Sequence, residues 1–413
     1  MTAARSHPAP ATDSSAVPAA LLVTAILLLA LNLRGPLVAV SAVVDPIRAD
    51  LGIDAATAGL FTSLPVLCFG LATPLASALL ARVGLARGVL AALAVLLAGI
   101  VVRSLDGLAA AVAGTLLLGF AITAGNVAVP VVIGRDLSRH AGSVLGAYTA
   151  ALNVGSMLTL SLTVPIAAAT GWRTALASWG ALVVVAAVVW WWATRNPGPA
   201  PAVDTPPERT AWWRRPVAWV LTAAFAGQAF AYYGVTAWLP QLLRDELGMP
   251  AATAGAAASV FQIAALGGAF GVPVLLRYAG PRATVLAVCA MWTTIPLGLL
   301  VAPSAWAVWC TVGGIAQGGG LVVIFSLVVR VARDAAESRQ FSALVQGGGY
   351  TVAAAAPPVL GAVHAATGDW TAPLLVVLAA IALLAVAGIV AAGIDAARID
   401  AARIDAATRS APG

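Results

Sequence analysis

The chain has 413 residues, 61% of them hydrophobic and only 9% charged. That composition lies far outside the range of soluble domains and excludes the nucleic-acid binder that a net charge of +6 would otherwise suggest. The positive charge is all arginine, because the chain contains no lysine, and its distribution bears on membrane topology.

Residues 1–16 are polar and proline-containing and are expected to form a disordered cytoplasmic tail. The apolar segment behind them is longer than the roughly 7 to 15 residues of a signal-peptide core, so it is expected to remain as the first span. Runs long enough to cross about 30 Å of hydrocarbon number twelve. They lie at 17–43, 55–81, 88–104, 107–133, 143–167, 174–194, 216–240, 251–276, 283–302, 304–329, 341–365 and 371–393.

The first span carries Leu31-Asn32-Leu33-Arg34-Gly35-Pro36. An arginine at the centre of a spanning helix costs about 2.5 to 3.5 kcal/mol on insertion scales, so such residues usually face a bundle interior or a watery cavity. Pro36 cannot donate to the Asn32 carbonyl and Gly35 lets the turn bend, which predicts a kink beside the charge. With both termini in the cytoplasm, seventeen arginines fall inside and four (Arg48, Arg103, Arg173, Arg244) outside, leaving Arg34 alone in a span interior. All sixteen acidic residues fall in loops, tails or helix ends, so no carboxylate is available to Arg34 within a span. Trp190, Trp191, Trp192, Trp212 and Trp213 on one side, and Trp238, Trp306 and Trp370 on the other, fit interfacial belts.

Residues 195–215 contain Pro197, Pro199, Pro201, Pro206 and Pro207 and read as a cytoplasmic linker between halves 17–194 and 216–393. The halves repeat: Leu-Gly-Ile-Asp-Ala-Ala-Thr-Ala-Gly at 51–59 returns as Leu-Gly-Met-Pro-Ala-Ala-Thr-Ala-Gly at 247–255, and Arg82 and Arg87 bracket four residues as Arg277 and Arg282 do. Arg135-Asp136 corresponds to Arg333-Asp334, and Gly171-Trp172-Arg173-Thr174 to Gly368-Asp369-Trp370-Thr371. Residues 394–413, with Ile-Asp-Ala-Ala-Arg in tandem, are expected to be a solvated low-complexity cytoplasmic tail.

Isolated polar residues near mid-span complete the candidate substrate site: Asn32, Asn126, Asn153, Gln228, Tyr232, Gln262, Gln317, Gln346 and Tyr350 beside Arg34. Taken singly, each can be interhelical glue worth about 0.6 kcal/mol. The repeat carries Asn32 onto Gln228, which would set the two facing each other across a pseudo-symmetry axis, and carries Arg34 onto Phe230. With no internal carboxylate, a substrate anion is the expected counter-ion of Arg34. Cys68, Cys289 and Cys310 read as small core residues, His364 lacks a nearby His or Cys, and glycine runs such as 347–349 read as helix contacts. No metal, cofactor or catalytic motif is expected.

The Leu-Asn-Leu-Arg-Gly-Pro stretch, followed by Gly59-Leu60-Phe61-Thr62-Ser63-Leu64-Pro65-Val66-Leu67-Cys68-Phe69-Gly70, resembles the cyanate and 2-nitroimidazole transporter group of the major facilitator superfamily. The chain departs from that pattern by inserting Gly35 before Pro36. The 81–87 loop also lacks the superfamily's usual aspartate. The resemblance implies an all-α membrane protein of twelve helices in two pseudo-symmetric six-helix bundles. Its expected place is the cytoplasmic membrane, and its expected activity is alternating-access transport of a small anion or small polar heterocycle. The expected partners are that small molecule and the lipid bilayer, with no nucleic acid and with a monomeric state. Gly35, Pro36, Arg82, Arg87, Arg277 and Arg282 are the gating candidates. A multidrug efflux carrier is the nearest alternative, and a membrane sensor or channel a more distant one.

Overall fold

A computed structural model describes residues 19–195 and 214–410, and all regular structure among them is helical. The expected N-terminal tail and nearly all of the 195–215 linker, with Trp212 and Trp213, lie outside the described residues. The first half comprises α1 (Ala19–Ala42), α2 (Val44–Leu51), α3 (Ala55–Leu71), α4 (Thr73–Val83), α5 (Leu85–Arg103), α6 (Leu108–Asp136), α7 (Ala141–Thr170), α8 (Trp172–Ser178) and α9 (Gly180–Thr194). The second comprises α10 (Pro216–Leu247), α11 (Ala251–Val301), α12 (Trp306–Val331), α13 (Ala335–Ala353), α14 (Ala356–Thr367) and α15 (Thr371–Ser410).

Eight helical segments among the described residues are by themselves long and apolar enough to cross a membrane. The other passes are broken or more polar. α3 and α4 are interrupted at Ala72, just ahead of Pro74, and α13 and α14 part at Ala354 and Ala355, just ahead of Pro357. α11 runs 51 residues but leaves helical geometry at Gly280, which divides it into two arms. α2 is not a span: its axis turns 118° from that of α3, and it buries Val44 and Ile47 while carrying Asp45 and Arg48.

The internal repeat is written into the backbone. Left-handed or otherwise positive φ occurs at Gly52 and Gly248 (63° and 62°), at Gly84 and Gly280 (83° and 76°) and at Gly171 and Gly368 (83° and 75°). These are equivalent turns in the two halves, and only glycine adopts such a conformation without steric cost. Local chemistry also fixes helix starts, as at α3, where the Asp54 side chain accepts a 2.7 Å bond from the Thr57 N–H.

The halves meet along α3 against α13 and α14, α1 against α10, and α7 against α11. Glycines let backbones touch there. A Cβ on Gly59 would lie 2.7 Å from the Pro357 carbonyl carbon, one on Gly361 2.8 Å from the Ala55 oxygen, and one on Gly255 2.6 Å from the Leu160 oxygen. All three contacts cluster toward the end carrying α2, where Arg244 of α10 also pairs with Asp45 across the seam.

At the C-terminus helix α15 extends past its apolar part into the low-complexity segment and continues through Ser410. Asp395 is buried and pairs with Arg330 of α12 at 3.4 Å, which ties the start of that extension to the bundle.

Candidate functional site

α1 packs on α7 with backbone closeness: a Cβ on Gly155 would run into the Leu31 oxygen, and one on Gly35 would sit 2.9 Å from the Thr159 methyl. This contact leaves Arg34 facing the seam between halves. Its Nη1 donates to Asn153 Oδ1 of α7 at 3.4 Å, and its Cζ lies 5.0 Å from the centre of the Tyr232 ring of α10. The cation is thereby shared between halves, held by an amide on one side and an aromatic face on the other. Tyr148, Tyr233 and Tyr350 also lie within electrostatic reach of the guanidinium. Four of the chain's five tyrosines therefore gather around one arginine. No carboxylate pairs with Arg34 among the described residues.

The surrounding polar groups form short relays. Tyr148 donates to Asn126 Oδ1 at 3.0 Å. Tyr232 donates to Gln262 Oε1 at 3.3 Å, and Gln262 Nε2 donates to Thr236 Oγ1 at 3.2 Å. Tyr350 links the seam's aromatic residues, with ring centroids 5.5 Å from Phe69, 5.0 Å from Phe225 and 6.3 Å from Tyr233. Arg34, Asn126, Asn153, Tyr232, Gln262 and Tyr350 are thus brought together. The site offers one positive charge, phenol and amide donors, and flat apolar faces, a combination suited to a small anion or a polar π system.

Other expected site residues point elsewhere. Asn32 and Gln228 do not face each other across an axis. Asn32 donates to the carbonyls of Leu28 and Leu182, at 2.8 and 3.3 Å. Gln228 donates to the Gln317 carbonyl at 2.9 Å and accepts from Trp292 Nε1 at 2.8 Å. Each equivalent is anchored inside its own bundle. Gln317 is buried beside Gln228 with its Nε2 unpaired, and Gln346 is exposed on α13. Gly35 and Pro36 sit within an unbroken α1. Arg82 and Arg87 flank the Gly84 turn, and Arg277 and Arg282 flank Gly280, all at the end opposite α2. His364 stacks on Trp370, with centroids 4.0 Å apart, and its Nε2 lies 3.9 Å from Asp245. Among the described residues no cluster of three or more His, Cys, Asp or Glu side chains is placed to hold a metal.

Three features escape a reading of the sequence. Tyr148 and Tyr233 line the site but look like apolar filling in their segments. Asp45 and Arg244 form a cross-half ion pair although 199 residues apart. Arg103, counted on the outer side at the end of the 88–104 span, is the last residue of α5 and only 2% exposed, so Arg34 is not the only arginine enclosed by the bundle. Its Nη1 donates to the Pro36 carbonyl at 2.7 Å.

Comparisons with known proteins agree with this architecture. Residues 20–335 match the family model described as Major Facilitator Superfamily. An uncharacterized transporter of Bacillus subtilis (strain 168), YycB, is 32% identical over 87% of this chain and 90% of its own length. The 2-nitroimidazole transporter of Escherichia coli (strain K12) is 29% identical over 86% of this chain and 91% of its own. The cyanate transport protein CynX of the same organism is 26% identical over 87% and 94%. Among solved structures, a point mutant of the nucleoside transporter NupG superposes with a TM-score of 0.72 at 13% identity, covering 90% of this chain and 99% of that one. A D-xylose-proton symporter does so at 0.66 and 12%, covering 91% and 97%.

Proposed function

From the premise that this chain belongs to the Major Facilitator Superfamily, as a multi-pass membrane transporter related to cyanate and 2-nitroimidazole carriers, we propose that it moves a small anion or small polar heterocycle by alternating access. Arg34 is its central binding charge. The observation that carries this reading is the position of Arg34 on the seam, touching Asn153 of one half and Tyr232 of the other, with no carboxylate among the described residues to neutralise it. A bound anion supplies the missing charge. At about 4 Å and an effective dielectric near 20 the attraction is about 4 kcal/mol before desolvation. Tyr148, Tyr232, Tyr233 and Tyr350 supply hydroxyl donors or ring faces, and Asn126 and Gln262, now bonded to tyrosines, can exchange those partners for substrate.

Because the ligands sit on both halves, rocking one half against the other exposes the site to one side and then the other. The glycine contacts and the Asp45–Arg244 pair close the α2 end in the state described here. The arginine excess at the end opposite α2 supports a membrane placement with both termini in the cytoplasm.

A thermal-shift screen of the purified protein against cyanate, nitrate, bicarbonate, simple carboxylates and 2-nitroimidazole tests the proposal. A ligand at 100 times its Kd should stabilise the folded state by about 2.7 kcal/mol and raise Tm accordingly. No shift with any of these compounds contradicts the assignment.

A further inference from the structure

We propose that Arg103 is a positioning residue for Arg34, acting through the Pro36 carbonyl of the same helix, an inference that rests on the assignment of Arg34 as the substrate-binding charge. Arg103 ends α5, and its guanidinium is folded into the bundle rather than out to the interface, at 2% exposure. Nη1 donates to the Pro36 oxygen at 2.7 Å, while Nε and Nη2 have no partner and are closed off from solvent. A guanidinium enclosed in this way is expensive, because a buried charge without a counter-ion leaves its desolvation largely uncompensated. An ion site is not the explanation, since the two unpaired nitrogens face no open space. The one polar contact that the enclosed group makes is to the backbone two residues beyond Arg34.

Local packing makes that contact rigid. A Cβ on Gly114 of α6 would run into the Arg103 backbone nitrogen, so α6 presses directly on the arginine's main chain. On the other side α7 holds α1 through Gly155 against Leu31 and Gly35 against Thr159. The turn containing Arg34 is therefore clamped between α7 and the Arg103 side chain. Arg34 in turn reaches Tyr232 from that fixed turn. Removing the Arg103 donor frees the Pro36 end of the clamp, and small misplacements of a binding group have large functional effects.

The test separates positioning from simple stabilisation. Arg103→Met keeps apolar length but removes both donor and charge, and Arg103→Lys keeps a donor. For wild type and both variants in lipid nanodiscs, the measurements are Tm, Kd for cyanate and for 2-nitroimidazole, and the Arg34–Tyr232 distance in a structure of Arg103→Met. Arg103→Met is expected to hold or raise Tm, because the uncompensated charge is gone. It should also weaken binding roughly tenfold and move the Arg34 Cζ away from its 5.0 Å position over the ring. Arg103→Lys should recover binding to within about threefold of wild type. A lower Tm with unchanged Kd and an unmoved Arg34 overturns the proposal, since that is the behaviour of a merely structural side chain. If neither probe binds wild type, those two compounds are not its substrates, the assignment of Arg34 rests on the wider ligand screen, and the Arg34–Tyr232 distance in Arg103→Met alone decides whether Arg103 positions it.

Discussion

Gly59→Ala should push the molecule out of its α2-end closure. The added Cβ would lie 2.7, 2.7 and 2.8 Å from the Pro357 carbonyl carbon, the Pro358 nitrogen and the Pro358 Cα. All three are backbone atoms of the opposite half, so no side-chain rotation relieves the clash. Carbon atoms pack best at roughly 3.5 to 4.0 Å, so the seam must part by about 1 Å. Overpacking of this kind costs about 1 to 3 kcal/mol. That energy bears on a contact made only when the α2 end is closed, and it corresponds to a population shift of roughly 5- to 150-fold toward states open at that end. Spin labels at Ala169 of α7 and Ala366 of α14, both exposed at the α2 end, report the separation of the halves. The labels require a background with Cys68, Cys289 and Cys310 replaced by alanine. Gly59→Ala should move the distance distribution to longer values. An unchanged distribution, whatever happens to Tm, refutes the reasoning.

The Asp45–Arg244 pair, with side chains 40% and 21% exposed, is worth only about 0.2 to 1 kcal/mol. Asp45→Asn should therefore shift the same label distances less than Gly59→Ala does, and the exchanged pair Asp45→Arg with Arg244→Asp should restore them. Asp54 caps α3, and its bonds from the Thr57 side chain and backbone hold its carboxyl below the usual carboxylate range. Its contribution to stability is complete above the unfolded carboxylate value of about 3.9 and is lost as pH falls through the lower folded value. Asp54→Asn, a cap that does not titrate, should flatten the acid limb of Tm against pH, and a limb parallel to wild type contradicts this. Trp292→Phe leaves the buried Gln228 Oε1 without its donor and should cost about 1 to 3 kcal/mol in thermal unfolding. Wild-type Tm in that variant would remove Gln228 from the account of bundle stability.

The all-helical fold and its two-fold repetition are legible in the sequence because long apolar runs and glycine turns have strong local causes. Gly84 and Gly280 end helices in the same way in both halves, and the loop arginines beside them carry the same spacing. Arg34 stands out because charge is costly in hydrocarbon. Orientation around a helix is harder to read. α1 and α10 are buried on several faces, so periodicity does not distinguish the face toward the seam from the face toward the bundle. Asn32 and Gln228 accordingly turn inward while Arg34 and Tyr232 meet. Arg103 is hidden for a related reason: an arginine at a span's end looks interfacial, and only the fold shows that its side chain bends back to Pro36. The helical extension beyond 394 is equally hard to read, because a short repeat of charge and alanine offers only weak local ion pairs, and the Asp395–Arg330 contact at its start joins residues far apart in sequence.

The central claim is that Arg34 supplies the charge that binds substrate, and uptake into proteoliposomes tests it most directly. The small anion or polar heterocycle that raises Tm in the ligand screen, supplied in labelled form, should be taken up saturably by the wild-type protein. Arg34→Gln should abolish uptake of the anion, and Arg34→Lys, which keeps the charge but not the planar guanidinium, should retain only a part of it. Anion uptake at the wild-type rate and affinity in both variants would contradict the account.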